Sequence, residues 1–250
     1  MAGELLDNRG RGEAGWHWPA IHPEGRKIGL MVSGVALFVL LVLGWSGAGW
    51  LLLLAAVATF VFFRDPERVV PQGSRDIIAP ADGLVTQIRQ VDLPRELCVD
   101  DGNGSLGLPS GQVTRVSVSM SMFDVHINRA PVGGTVRRVI YVPGRFLNAD
   151  LDKASEDNER QHLLIERSDG NIIGLTQIAG LIARRIVPFV KPGDIIAAGQ
   201  RIGLIRFGSR VDIYLPAETD PLVILGQRVI AGETVLARFG DRQLIEGYLQ

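Results

Sequence analysis

Gly193-Asp194-Ile195-Ile196-Ala197-Ala198-Gly199-Gln200-Arg201-Ile202 reads as a tight turn, a short apolar step, a second glycine turn and the start of a strand. Gly226-Gln227-Arg228-Val229-Ile230-Ala231-Gly232-Glu233-Thr234-Val235 repeats that pattern, again with two glycines six residues apart. A second echo lies upstream, where Ala79-Pro80-Ala81-Asp82-Gly83-Leu84-Val85 is matched by Ala130-Pro131-Val132-Gly133-Gly134-Thr135-Val136, each a turn feeding a strand. Repeated turn-then-strand units belong to compact β-barrels and sandwiches with quasi-symmetric halves. Short β-type runs bounded by glycine and proline fill the same region at 84–88, 112–120, 135–142, 163–166, 172–178, 202–207 and 210–215. Helical periodicity is weak, and the best helix window there, 178–186, is rich in β-branched residues. The expected fold is mainly β (α+β), a compact barrel or sandwich with hammerhead-like quasi-repeats.

Outward from this region, residues 28–63 form 36 consecutive positions without Asp, Glu, Lys or Arg, so all 26 basic and 27 acidic residues fall elsewhere. The rest has an ordinary soluble composition and no second membrane-length run, which argues against a polytopic transporter; 46% hydrophobic residues argue against disorder. One helix of 36 residues would measure about 54 Å against a hydrocarbon core of roughly 30 Å. The run divides at Gly44-Trp45-Ser46-Gly47-Ala48-Gly49 into arms 28–43 and 50–63. Arg26 and Lys27 precede the first arm and Arg64 and Arg68 follow the second, which puts both ends in the cytoplasm. A cleaved signal peptide fits less well, because the run starts late and lacks a small-residue cleavage site. The expected organisation is a polar segment (1–27), a membrane-anchoring helical hairpin (28–63), a linker (64–75) and a domain from 76 to 250. A net charge of −1 offers no footprint for nucleic acid. The single cysteine, Cys98, cannot form an intrachain disulfide and reads as a small apolar filler.

Four histidines are available for chemistry: His17, His22, His126 and His162. The first two precede the anchor and are expected to be solvated. None has the spacing of a helical zinc motif, so no metal site is expected, and no phosphate loop, dinucleotide fingerprint or nucleophile elbow occurs. There remain Arg206-Phe207-Gly208-Ser209-Arg210-Val211-Asp212-Ile213-Tyr214-Leu215-Pro216, the segment Phe123-Asp124-Val125-His126-Ile127-Asn128-Arg129-Ala130-Pro131, and the turn holding Asp82. In this order, behind an apolar N-terminal run, they closely resemble the processing site, histidine segment and aspartate segment of phosphatidylserine decarboxylase proenzymes. The resemblance is to the short bacterial and archaeal branch and covers roughly residues 25 to 250. Arg210 stands where the longer branch has threonine, and Phe123 where it can have a second histidine.

The resemblance implies that Ser209 Oγ attacks the Gly208 carbonyl in an N-to-O acyl shift, and that β-elimination and hydrolysis convert Ser209 into a pyruvoyl group. Chains of 208 and 42 residues would result, a β chain (1–208) and an α chain (209–250), and would stay associated. The covalent pyruvoyl cofactor would form a Schiff base with phosphatidylserine and release carbon dioxide and phosphatidylethanolamine. A serine hydroxyl needs a base; His126 suits that role, and Asp82 would fix its tautomer as the carboxylate of an Asp-His-Ser set does. A homodimer is compatible with the family. Asn158-Glu159-Arg160 reads as a loop near the site, and Arg129 and Arg145 as exposed arginines that could also meet substrate phosphate or carboxylate. Two other readings compete. The glycine echoes also resemble hammerhead strands of biotinyl and lipoyl carrier domains, and Asp152-Lys153-Ala154 resembles the modified tripeptide, although it lies in a polar stretch outside both repeats. A membrane-tethered adaptor without chemistry is the second. Within the enzyme reading, an archaeal ether-lipid analogue is the alternative substrate.

Overall fold

The computed structural model describes residues 18–98, 108, 111–144, 157–180, 185–206, 209–242, 245 and 247. Two helices come first, α1 (Pro23–Leu41) and α2 (Ser46–Phe62), with β1 (Ala20–Ile21) and β2 (Arg64–Asp65) paired antiparallel at their base. Proline in the first turn of α1, and the His22 ring accepting the Glu24 N–H at 3.4 Å, start this helix before the uncharged run begins. The helices run antiparallel and meet at glycines. A β-carbon on Gly25 would lie 2.1 Å from Phe63, one on Gly29 2.4 Å from Phe60 and one on Gly49 2.5 Å from Leu40. Gly47 and Gly49, read from the sequence as turn, belong to α2, and at Gly49 the missing side chain permits close packing. Among the described residues no helix is long and apolar enough to cross a membrane.

The remaining strands are β3 (Asp76–Ile78), β4 (Gly83–Asp92), β5 (Gln112–Met120), β6 (Ile127–Arg129), β7 (Gly134–Val142), β8 (Arg160–Glu166), β9 (Ile172–Ala179), β10 (Ile186–Pro188), β11 (Ile195–Ile196), β12 (Arg201–Ile205), β13 (Ser209–Leu215), β14 (Arg228–Val229) and β15 (Val235–Arg238). Eight of them form one sheet in the order β11-β7-β8-β9-β13-β5-β4-β14, curled into a half-barrel; β10-β12-β6 form a second sheet and β15-β3 a third. The chain is mainly β, and each of the seven runs read as β structure falls on a strand. The helix window at 178–186 is corrected at both ends, where Ile178 and Ala179 end β9 and Ile186 opens β10, because β-branched residues favour the pleated surface; residues 181–184 lie outside the described residues.

The two echoes interlock. Val85 exchanges backbone hydrogen bonds with Gly226 and Gln227 at 2.8 and 2.9 Å, and Val136 does the same with Gly193 and Asp194 at 2.8 and 2.9 Å. Gly232 N–H reaches Ala79 O at 2.9 Å, as Gly199 N–H reaches Ala130 O at 2.8 Å. A β-carbon on Gly83 would stand 2.2 Å from Ser119 O, and one on Gly134 equally 2.2 Å from Glu166 O. Both β4 and β7 slip register two residues beyond that glycine. The repeats thus occupy matching positions at opposite edges of the large sheet, and the apolar core fills its concave side with Val85, Val118, Leu163, Leu175, Val211 and Ile213 among others.

The segment 64–75, read as a linker, is fastened to the domain. Asp65 is buried between Arg201, at 2.7 Å, and Arg129, at 3.5 Å. Arg129 is consequently not the exposed arginine expected: its guanidinium also donates to Gly199 O and Pro66 O at 2.9 and 2.8 Å. Cys98 is half-buried against apolar neighbours, as a filler should be.

Candidate active site

Ser209 opens β13, the strand at the middle of the large sheet, paired with Met120 of β5 on one side and Ala179 of β9 on the other. Strand alternation sends Ser209, Val211 and Ile213 to the core face and Arg210, Asp212 and Tyr214 to the opposite face. All seven residues of β13 are buried. The Ser209 hydroxyl is 2% exposed and its contact is with the Met120 sulfur at 3.8 Å, a weak acceptor. The Asn128 amide approaches the same sulfur at 3.7 Å, accepts from Gln177 at 2.7 Å, and Gln177 in turn accepts from Gln161 at 2.9 Å. A buried file of amides therefore leads to the serine. Gly208 and Phe207 lie outside the described residues.

His126 immediately precedes β6 and is fully buried. Its carbonyl accepts the N–H of Ile205, four residues before Ser209, at 3.2 Å. Its Nδ1 lies 3.0 Å from the Asp124 carbonyl oxygen, and Nε2 is buried without a hydrogen-bond partner. A carbonyl can only accept, so the proton sits on Nδ1 and Nε2 carries a bare lone pair. Burial depresses the imidazole pKa from 6.5 to about 4, against the opposing pull of Asp124, which keeps the ring neutral at physiological pH. A neutral imidazole in this tautomer presents Nε2 as a proton acceptor.

The tautomer is not set by Asp82. One carboxylate oxygen of Asp82 takes the Arg68 guanidinium at 2.7 Å, the other takes the Ala231 N–H at 2.8 Å, and the Val125 N–H is also bonded to it. Asp82 thereby holds the backbone next to His126, not the ring. Burial pushes its pKa up, outweighing the lowering by Arg68. No hydrogen bond joins any two of Ser209, His126 and Asp82.

Several contributors went unread in the sequence. Asp124 was quoted only as part of the histidine segment, yet its carbonyl selects the tautomer. Its carboxylate accepts from Ser121 N and Oγ, at 2.8 and 2.7 Å, and pairs with Arg228. Asn158-Glu159-Arg160, expected as loop, leads into β8. The Asn158 amide donates to Ala179 O at 2.8 Å and Glu159 accepts the Ile186 N–H at 3.1 Å, bracing the strand beside Ser209. His22 is not solvated but stacks on Phe189 with ring centroids 5.0 Å apart. His162 hydrogen-bonds Thr176 at 2.8 Å on the far face of the sheet. Arg145, His17 and Lys153 lie outside the described residues. Among the described residues no group of three His, Cys, Asp or Glu could hold a metal ion.

A family model described as phosphatidylserine decarboxylase matches residues 56–237. The chain belongs to the phosphatidylserine decarboxylase family. It is 64% identical over 247 residues to the phosphatidylserine decarboxylase proenzyme of Novosphingobium aromaticivorans, covering 99% of this chain and 98% of the relative. The same name is carried by a relative from Erythrobacter litoralis, 63% identical across the full length of both chains. A Zymomonas mobilis relative of that name is 53% identical over 227 residues, covering 91% of this chain and 90% of its own. The family match spans Asp82, His126 and Ser209, every strand from β3 to β14 and all but the last residue of β15.

Proposed function

We propose that this chain is a phosphatidylserine decarboxylase proenzyme that cleaves itself between Gly208 and Ser209. The observation carrying this reading is the bare, dry Nε2 of His126, held neutral beside the segment that leads to a buried serine. In the cleavage, Nε2 takes the Oγ proton as the hydroxyl oxygen forms its bond to the Gly208 carbonyl carbon, and returns it to the Ser209 nitrogen as the Gly208 C–N bond breaks, leaving an ester that β-elimination then opens. The serine gives up only a contact with a thioether, so no strong hydrogen bond has to be broken first.

The residues present fit a pyruvoyl group at position 209. The side chain is buried between Met120 and Ala179, and the orphaned imidazole nitrogen belongs to His126, whose backbone is hydrogen-bonded to Ile205, four residues before Ser209. Once formed, the group supplies the electron sink for decarboxylating the serine headgroup. His126, neutral and able to carry one more proton, is the residue that would exchange a proton with the reacting carbon. The register of β13 between two neighbours holds position 209 still, and the apolar core excludes water.

The helical pair is the membrane-contacting element of this reading. Leu30, Met31, Phe38, Leu41, Trp50, Leu51 and Leu54 are exposed on it, while Arg26, Lys27 and Arg64 flank its base. Both ends lie on one side, the cytoplasmic one, and the hairpin enters the bilayer surface without crossing it. A diacyl substrate then meets the site without leaving the membrane. Purified protein on a denaturing gel tests the main claim. Two chains of 208 and 42 residues are expected, the smaller blocked at its N-terminus, and Ser209→Ala should leave one chain. A single, unprocessed chain that still decarboxylates phosphatidylserine would overturn it.

A further inference from the structure

The hairpin reaches the site with one side chain. Phe62, the last residue of α2, lies against the His126 imidazole with ring centroids 4.2 Å apart and planes tilted by 36°. It is 5% exposed and belongs to a buried cluster of its own with Phe63, Val125, Ile127 and Leu204, against which Ile21, Ile28, Val187 and Phe189 pack. Polar ties surround this cluster. His22 N–H donates to Phe63 O at 2.9 Å. Arg64 donates to Val61 O at 2.9 Å and to Phe123 O, and Arg206, two residues before the scissile glycine, pairs with Glu24 of α1. A tether that only kept the enzyme at a surface would need none of these contacts.

We propose that Phe62 is a positioning residue for self-cleavage: its ring closes one face of the His126 imidazole to water and holds it on the Asp124 carbonyl, making the helical hairpin a wall of the active site. The inference rests on the reading of His126 as the base. The charged groups facing the imidazole are Asp124 from its own loop and Arg64 from the end of α2; Asp82 reaches only the backbone beside it. Truncating Phe62 leaves those charges in place, so the main change at the ring is hydration. With water admitted, the imidazole returns toward its ordinary range and the proportion of neutral base falls in mild acid.

Hydrogen–deuterium exchange at the imidazole C2, followed on the His126 peptide by mass spectrometry across pH, reads this in the full chain. In the uncleavable Ser209→Ala precursor the midpoint should lie near 4. Adding Phe62→Ala should raise it by roughly one unit or more, Phe62→Val should raise it less, and Phe62→Leu, which keeps apolar cover, should leave it low. With Ser209 restored, Phe62→Ala precursor should cleave about twofold more slowly at pH 5 than at pH 8 if its midpoint rises by one unit and about tenfold more slowly if it rises by two, while the parent chain changes little. If the alanine chain fails to fold, the valine chain carries the same prediction. Equal midpoints in Phe62→Ala, Phe62→Val and the parent would overturn the proposal. A parent chain that never splits would instead remove the reading of Ser209, and the exchange midpoints would still decide the role of Phe62.

Discussion

His126 obtains its tautomer from a backbone oxygen. Because Asp124 O can only accept, the choice of protonated nitrogen survives any change at Asp82. Asp82 acts one step away, through the Val125 and Ala231 N–H groups and Arg68. Asp82→Asn keeps an oxygen acceptor and should slow precursor cleavage by about tenfold or less. Loss of a carboxylate that directly orients a catalytic imidazole costs about 10⁴. His126→Gln should cost about 10² to 10⁴, the range of general base catalysis. Time courses of chain splitting on denaturing gels separate these outcomes, and a 10⁴ loss in the asparagine variant would restore Asp82 to the ring.

At the scale of the element, β13 explains why an arginine can follow the serine. Alternation points Arg210 away from Ser209, to the far face of the sheet, where it is fully buried and pairs with the equally buried Asp212 at 2.9 Å. An arginine there serves the strand and cannot reach the serine oxygen. Asp212 also faces Arg115 at 3.9 Å, so Asp212→Ala takes a buried carboxylate from between two arginines and should cost about 3–5 kcal/mol. Replacing both with apolar residues of similar volume, Arg210→Met with Asp212→Leu, should recover much of that loss. Urea unfolding of the Ser209→Ala precursor measures both. The hairpin teaches a similar lesson: Gly25, Gly29 and Gly49 are close contacts within it, and Phe62 lies against the His126 ring.

For the whole molecule, cutting before residue 209 leaves β13, β14 and β15 on the short chain. β13 is hydrogen-bonded on both sides, to β5 and β9, and its core-facing residues are part of the main cluster. The two chains should therefore elute together in native size exclusion and separate only in denaturant. Acid should loosen the assembly in a defined window. His126 and His162 are both held near 4 in the folded protein against 6.5 when exposed, mainly by burial. The unfolded chain thus binds more protons between those values. The stabilisation is complete above about pH 6.5 and is lost as pH falls toward 4, at about 1.4 kcal/mol per pH unit for each histidine. Urea midpoints of the Ser209→Ala precursor across this range should fall, and His162→Gln should reduce the slope.

The strands, the quasi-repeat and the three site segments were legible because each rests on local chemistry. Glycine at 83, 134, 193, 199, 226 and 232 marks turns or close approaches, and β-branched runs between them mark strands. Gly208-Ser209 and His126 carry reactive groups whose types are visible in one dimension. What tertiary structure decided are the partners. Asp124 O rather than Asp82 faces Nδ1, Arg210 turns from the chemistry, and the segment at 65–68 is pinned to the domain by Arg129, Arg201 and Asp82. Phe62 meets a histidine 64 positions away. A sequence specifies which groups a residue can offer, because that follows from its covalent structure. Which group answers it depends on distances of a few ångströms between segments far apart in the chain, and only the packed core sets those.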